Sequence, residues 1–316
     1  MKTSINCINQ TIGMALFIPV CMWLSGCATP PPSANVKPLT ANESALDLSK
    51  YHVATIVPFE SHNEEVKDPS IGETFAKDIA WRLKNSYGPI FSEVDQGSLR
   101  NRTDELIVTG KFTKYNPGSR DVRNLAGIFG LGAASLDGSL ILKDGSDQHI
   151  IYEGEFSKLW AWGGAMGAVR GIEDMEAATV ALVANTIALG KGWKPPVPNG
   201  NSHPKYSDYR ASLPPLTTNQ ARIWFYRPSS MVGAAVLFTI KLDGAYVGTS
   251  VNGGFFCVNV APGTHKITDV VPAKTTYGDV SVTDGSEAYV FVRWKPEQVS
   301  DSRGIKEIEG LHLKGN

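Results

Sequence analysis

One break divides this chain into two lengths that follow different folding patterns: Lys194-Pro-Pro-Val-Pro-Asn-Gly-Asn-Ser-His-Pro-Lys-Tyr206, continuing to Leu213-Pro214-Pro215. Proline lacks a backbone donor and fixes φ, so a stretch this rich in it neither extends a helix nor enters the middle of a sheet. Without an apolar period of its own, 194–219 reads as a linker, more open to proteases than its flanks. Residues 46–193 mix helical and strand periods, whereas 220–316 show strands alone.

In the first region Tyr51-His-Val-Ala-Thr-Ile-Val-Pro-Phe59 alternates as a strand does. Ile71, Phe75, Ile79 and Leu83 then recur at the spacing of one helix face, and Ser70-x-x-Glu73 offers a capping box at its start. Leu106, Val108 and Phe112 mark a second strand. Ser139–Lys143 and His149–Phe156 pair about Asp144-Gly145, and Glu173–Leu189 is an alanine-rich helix closed by Gly190. The order β-α-β-β-β-α is that of an α+β domain with helices packed on a sheet.

Beyond the break come seven short strands, Ala221–Arg227, Val236–Asp243, Tyr246–Ser250, Phe255–Val260, His265–Val271, Asp279–Thr283 and Ala288–Trp294. Asp243-Gly244, Asn252-Gly253, Pro262-Gly263 and Asp284-Gly285 punctuate them at intervals suited to an all-β, sandwich-like domain. Strand side chains alternate between faces, so Ile223 with Phe225 and Val290 with Val292 are core candidates. Arg222, Trp224 and Tyr226 on the first strand, and Tyr289, Phe291 and Arg293 on the last, then share the opposite face. Such residues are enriched at binding hot spots, which makes these six the candidate binding surface for an envelope protein or glycan. Burial against the terminal segment or the first region is the competing reading.

Two stretches of the first region, Asn116-Pro-Gly-Ser-Arg-Asp-Val-Arg-Asn-Leu-Ala-Gly-Ile-Phe-Gly-Leu-Gly132 and Trp160-Ala-Trp-Gly-Gly-Ala-Met-Gly-Ala-Val-Arg-Gly171, are glycine-rich. Arg120, Arg123 and Arg170 could add charge to an anion loop, but Gly127-x-x-Gly130-x-Gly132 has neither the dinucleotide nor the P-loop spacing. The Pro-Gly-Ser-Arg…Phe-Gly-Leu-Gly pattern resembles the lipoprotein domain-of-unknown-function family 4410 over roughly 46–193. Ala221-Arg-Ile-Trp-Phe-Tyr-Arg-Pro228, Leu242-Asp-Gly and Ala261-Pro-Gly-Thr-His265 resemble domain-of-unknown-function family 2846 over about the last hundred residues. Both resemblances imply a bacterial envelope protein with no established activity.

Met1–Gly26 carries one charged side chain, Lys2, then an apolar run from Ile12 to Leu24, in the order of a secretory signal. Pro19 and that weak flank weigh against an uncleaved anchor helix. Leu24-Ser25-Gly26-Cys27 resembles the bacterial lipobox, which implies removal of 1–26 and acyl chains such as palmitate on Cys27. Residues 27–45, with Pro30, Pro31 and Pro32, read as a solvated tether. Ala28 is not the aspartate that signals inner-membrane retention in enterobacterial lipoproteins, so the resemblance implies the periplasmic face of the outer membrane. The membrane is then a partner through the lipid anchor.

The balance of 30 basic and 31 acidic side chains lacks the cationic excess that phosphate backbones require, so no nucleic acid partner is expected. Catalytic patterns do not assemble either. The six histidines stand singly, without His-Glu-x-x-His, and no Gly-x-Ser-x-Gly occurs. His62 near Glu64, Glu65 and Asp68 reads as a solvated acidic loop, Glu173 and Asp174 as helix-dipole partners, His265 as turn support, and Cys257 as a packed strand cysteine. The expectation is a non-catalytic binding or assembly module without cofactor or metal. An envelope hydrolase whose site forms only in three dimensions is the alternative.

Overall fold

The computed structural model describes residues 37–38, 46–97, 99–119, 121–122, 131–160, 171–194, 203–234, 236–271 and 274–314. Its first region contains β1 (Lys37–Pro38), β2 (Val53–Ile56), α1 (Ile71–Asn85), β3 (Glu93–Gln96), β4 (Glu105–Asn116), β5 (Ala134–Asp144), β6 (Ile150–Trp160) and α2 (Ile172–Gly190). The strands form one sheet in the order β1-β6-β5-β4-β2-β3. β2 runs parallel to β3 and β4, while β4, β5 and β6 form an antiparallel meander. The α+β class therefore holds.

The predicted stripe of α1, Ile71, Phe75, Ile79 and Leu83, is buried together with Val180, Val183, Ala184 and Ile187 of α2 and Leu106, Val108, Leu140 and Phe156 of the sheet. Gly72 permits the close approach at the start of α1, where an added Cβ would lie 1.9 Å from the Phe59 carbonyl oxygen. Three local expectations need correction. Ser70 makes no side-chain cap; its N–H and hydroxyl donate instead to Asp68 Oδ1, at 2.9 and 2.7 Å. Gly190 is the last helical residue of α2, and the left-handed turn beyond it falls on Gly192 (φ 79°). β3 is an additional edge strand, whose sequence Glu-Val-Asp-Gln has too little apolar character to signal itself.

The second region is a sandwich with additions. It contains α3 (Tyr206–Ser212), β7 (Ala221–Arg227), β8 (Phe238–Leu242), β9 (Ala245–Ser250), β10 (Gly254–Val260), β11 (Gly263–Val271), β12 (Lys274–Val282), β13 (Glu287–Val292), β14 (Pro296–Val299), α4 (Asp301–Ile308) and β15 (His312–Leu313). A five-stranded sheet, β14-β13-β7-β10-β15, faces a four-stranded one, β12-β11-β8-β9. Between them lie the expected core residues Ile223, Phe225, Val290 and Val292, with Phe238, Ile240, Phe256 and Ile267. Asp243-Gly244 turns with both residues at positive φ, 52° and 83°, as a tight hairpin requires.

The linker expectation is corrected from Lys205 onward. Tyr206 and Tyr209 of α3 are buried in an aromatic cluster with Trp224, Phe255 and Tyr289, and the Tyr206 and Trp224 rings meet edge-on at 4.8 Å. Chymotrypsin is therefore expected to leave the bonds after Tyr206 and Tyr209 intact in the native protein, while cutting both after urea treatment. Cleavage there without denaturant would show α3 undocked.

The two regions also touch directly. Trp81 of α1 packs against the sandwich core, and Tyr246 of β9 belongs to the core of the first region. The Tyr246 N–H donates to Asp78 Oδ1 (3.2 Å) and the Thr239 hydroxyl to Asp174 Oδ1 (2.9 Å). The described residues between Pro32 and Asn316 accordingly belong to one compact unit.

Candidate functional site

The six residues expected to form a binding surface are drawn together, but not as an open face. Trp224, Tyr226 and Tyr289 are 0%, 0% and 1% exposed, Arg222 is buried, and Phe291 and Arg293 are half-buried. The reason is a covering layer from both ends of the region: α3 lies over Trp224, and α4 over Tyr226 and Tyr289. Gly304 makes the second contact, since a Cβ there would stand 2.3 Å from the Tyr289 side chain. Tyr226 donates to Glu307 (2.6 Å), Tyr206 and Tyr289 share a hydroxyl bond (2.7 Å), and the Arg303 guanidinium sits over the Phe291 ring at 5.4 Å. The aromatic and arginine face is thus a second core.

Where α3 and the following residues cross the sheet edge they leave an open cleft of about 730 Å³. Three of its charged members, Arg210, Arg222 and Glu287, are linked. Arg210 Nε donates to Glu287 Oε2 (2.9 Å), Arg222 Nη1 reaches Glu287 Oε1 (3.5 Å), and Arg222 also holds Asn259 Oδ1 (2.9 Å) and the Pro214 carbonyl (3.1 Å). Leu213, Pro214, Pro215, Leu216 and Ile305 add apolar walls. Polar and apolar groups line the cleft about equally, with Ser207 and Glu309 beside the linked charges. Sequence reasoning missed it because two of its walls come from the supposed linker.

Acidic groups with displaced protonation lie elsewhere. Asp78 is buried between α1 and the β8–β9 hairpin, and burial pushes its carboxyl up to about 6 against the pull of Lys241 and the Tyr246 amide. Burial likewise raises Glu176 to about 7, despite a hydrogen bond donated by Tyr115 (2.5 Å). Neither residue lines the cleft. Asp269 is fully buried inside the sandwich, with no hydrogen-bond partner for either carboxylate oxygen among the described residues. Burial carries it to about 7 in spite of nearby Arg227.

The remaining sequence candidates resolve individually. His265 bonds Asp243 Oδ2 (2.7 Å) and the Ala261 carbonyl (2.9 Å), bracing the turn. Asp174 accepts from the Gly171 amide (3.0 Å) at the start of α2. Cys257 packs into the aromatic cluster, where burial pushes its thiol up to about 12. His62, Glu64, Glu65 and Asp68 are all exposed. Asp144, Asp147 and His149 come close enough to share an ion. Asp144, however, already accepts from Ser146, Lys50 and Tyr51, and these bonds, Ser146 first, hold its carboxyl well below the usual range. Cys27, Arg120, Arg123, Gly127, Gly130 and Arg170 lie outside the described residues.

No curated protein matches the chain. Its structure is similar to a leucine-to-methionine variant of the PelC dodecamer from Paraburkholderia phytofirmans, at 14% identity and a TM-score of 0.34, over 50% of this chain and 98% of that one. The PelC dodecamer without that substitution, from the same organism, gives 11% identity and a TM-score of 0.32, over 50% and 97%. Family models match both regions: residues 38–164 match the domain of unknown function DUF4410, and residues 217–300 match the protein of unknown function DUF2846. Each of the two resemblances read from the sequence is thus matched over the part of the chain where it was expected.

Proposed function

We propose that this protein is a lipid-anchored component of the bacterial cell envelope, held at the periplasmic face of the outer membrane by acyl chains on Cys27, and that it works by binding rather than catalysis. The observation that carries the binding role is the cleft between α3, α4 and the five-stranded sheet. Arg210, Arg222 and Glu287 on its wall are already paired, so they orient a ligand without demanding a counter-charge, and its proline-lined wall offers a rigid apolar surface at little entropic cost. Those features favour an extended segment of another envelope protein or a glycan chain. The anchoring role rests on Leu24-Ser25-Gly26-Cys27 and the prolines that follow.

Two measurements test the halves separately. A photo-crosslinking amino acid at Ile305, on the cleft wall and 41% exposed, is expected to trap an envelope component in living cells, whereas one at Ile150, 52% exposed on the first region, is not. Arg210→Ala, which breaks the pair with Glu287, should reduce the Ile305 adduct several-fold. Equal yields at the two sites would overturn the cleft assignment. Mass spectrometry of the N-terminal peptide is expected to find acylated Cys27, and an unmodified Cys27 still preceded by Ser25-Gly26 would overturn the anchor.

A further inference from the structure

The turns at the two ends of the sandwich differ in where acidic side chains fall. At one end the chain reverses at Asp243-Gly244, at Ala261-Pro262 and across Thr283–Ser286, so Asp243, Asp284 and Glu287 gather there. The other end carries the 228–237 connection from β7 to β8, the β9–β10, β11–β12 and β13–β14 turns, and Gly310–Lys314, while Glu309 before them lines the cleft. No aspartate or glutamate occurs in 228–237, 251–254, 270–278, 293–296 or 310–316, whereas Lys274, Arg293, Lys295 and Lys314 do. Glu297 and Glu307, on the adjoining face, are both engaged by Arg303, at 4.0 and 3.0 Å.

Apolar side chains project from this acid-free end: Met231 is 96% exposed, Val232 68% and Trp294 52%. Their projection is imposed from inside. The buried Arg227 guanidinium donates to the Val236 and Gly233 carbonyls, both at 2.6 Å, and stacks on Phe238 at 4.5 Å. The Ser230 N–H donates to Asn252 Oδ1 (2.9 Å), and Arg293 Nη2 donates to Ser230 Oγ (3.2 Å). Gly233 lies against the Trp294 ring, where an added Cβ would stand 3.4 Å away, so loop and tryptophan form one patch. A loop held by a buried arginine with its apolar residues turned outward is disfavoured in water and favoured at a surface that accepts them.

We propose that this end of the sandwich is a contact surface for an anionic phospholipid bilayer, with Met231, Val232 and Trp294 entering the headgroup layer and Lys295 and Lys314 meeting its phosphates. Tryptophan favours the membrane interface, and lysines beside an apolar tip are drawn to anionic headgroups over the range of a Debye length. The contact rests on the anchoring reading only in that the anchor would keep a bilayer within reach. It would orient the protein and turn the opposite end, with the Glu287 side of the cleft, toward the periplasm.

The test uses an environment-sensitive fluorophore on Met231→Cys or, as reference, on Asp284→Cys at the opposite end. Both sites are exposed, and Cys257 is packed into the aromatic cluster. The purified full-length product is bound to vesicles of phosphatidylcholine with phosphatidylglycerol, or of phosphatidylcholine alone, and quenched with brominated lipid. The expected result is a blue shift and several-fold stronger quenching at Met231→Cys than at Asp284→Cys in the anionic vesicles. That contrast should be lost in neutral vesicles, at high salt, and on adding Lys295→Glu with Lys314→Glu. Equal quenching of the two labels in anionic vesicles, or a contrast indifferent to lipid charge, overturns the proposal. Failure of acylation is distinguishable, since it weakens flotation of both labelled proteins alike and leaves their N-terminal mass unmodified.

Discussion

Trp224→Ala is expected to lower the unfolding free energy of the protein by about 3–5 kcal/mol, the usual cost of removing a large aromatic side chain from a packed core. The indole is fully buried and meets Tyr206, Tyr209 and Phe255 with ring centroids 4.8, 6.4 and 6.0 Å away, so its loss leaves a cavity beneath α3 that the short helix cannot fill without undocking. Trp224→Phe is expected to cost far less. Its ring retains part of those contacts, and the substitution removes an indole N–H that has no hydrogen-bond partner among the described residues, a group that costs free energy while it stays buried. Urea midpoints at unchanged m-value read both effects. A loss below about 1 kcal/mol for Trp224→Ala, the range of surface substitutions, would mean that α3 does not cover the sheet and that the six-residue face is open after all.

The second large effect is a pH dependence at the junction of the two regions. Asp78 titrates near 6 when folded against an ordinary value of 3.8, because burial under the β8–β9 hairpin disfavours its charge more than Lys241, the Tyr246 amide and Lys77 favour it. The folded protein therefore holds this proton more tightly than the unfolded chain. The stability it contributes is present in full below about pH 4 and is lost as pH rises through about 6. At about 1.36 kcal/mol per pH unit, the 3.8-to-6 difference corresponds to roughly 3 kcal/mol as an order of magnitude. Asp78→Asn keeps an oxygen for the Tyr246 N–H and cannot ionise. The variant is expected to match the parent near pH 4, to exceed it by up to that amount at pH 8, and to flatten the slope between. Glu176, raised to about 7, retains a similar slope in the variant at higher pH. Identical profiles for parent and Asp78→Asn would show that Asp78 ionises freely and that the hairpin does not seal it.

Much of the architecture was legible because it is written in local periods. The four-residue spacing of Ile71, Phe75, Ile79 and Leu83 described a helix with one buried face, and all four are buried. Glycine after Asp243, Asn252 and Asp284 marked reversals, and each of these glycines has positive φ. Alternation separated Ile223 and Phe225 from Trp224 and Tyr226 correctly, and the first pair does lie between the two sheets. Alternation names two faces, however, and leaves open whether one or both are covered.

That choice belonged to the tertiary structure. α3 spans only 7 residues amid prolines, too few for a helical period to register, and its two buried tyrosines gain their place from Trp224 and Phe255 rather than from neighbours in sequence. The cleft forms where that helix crosses the sheet, so none of its walls could be assigned before the helix was docked. The same holds for the junction of the regions, where the Tyr246 amide meets a carboxylate 168 positions earlier. Local spacing records which side chains share a face; only packing between distant segments decides what lies against that face, because burial depends on the partner surface and not on the pattern alone.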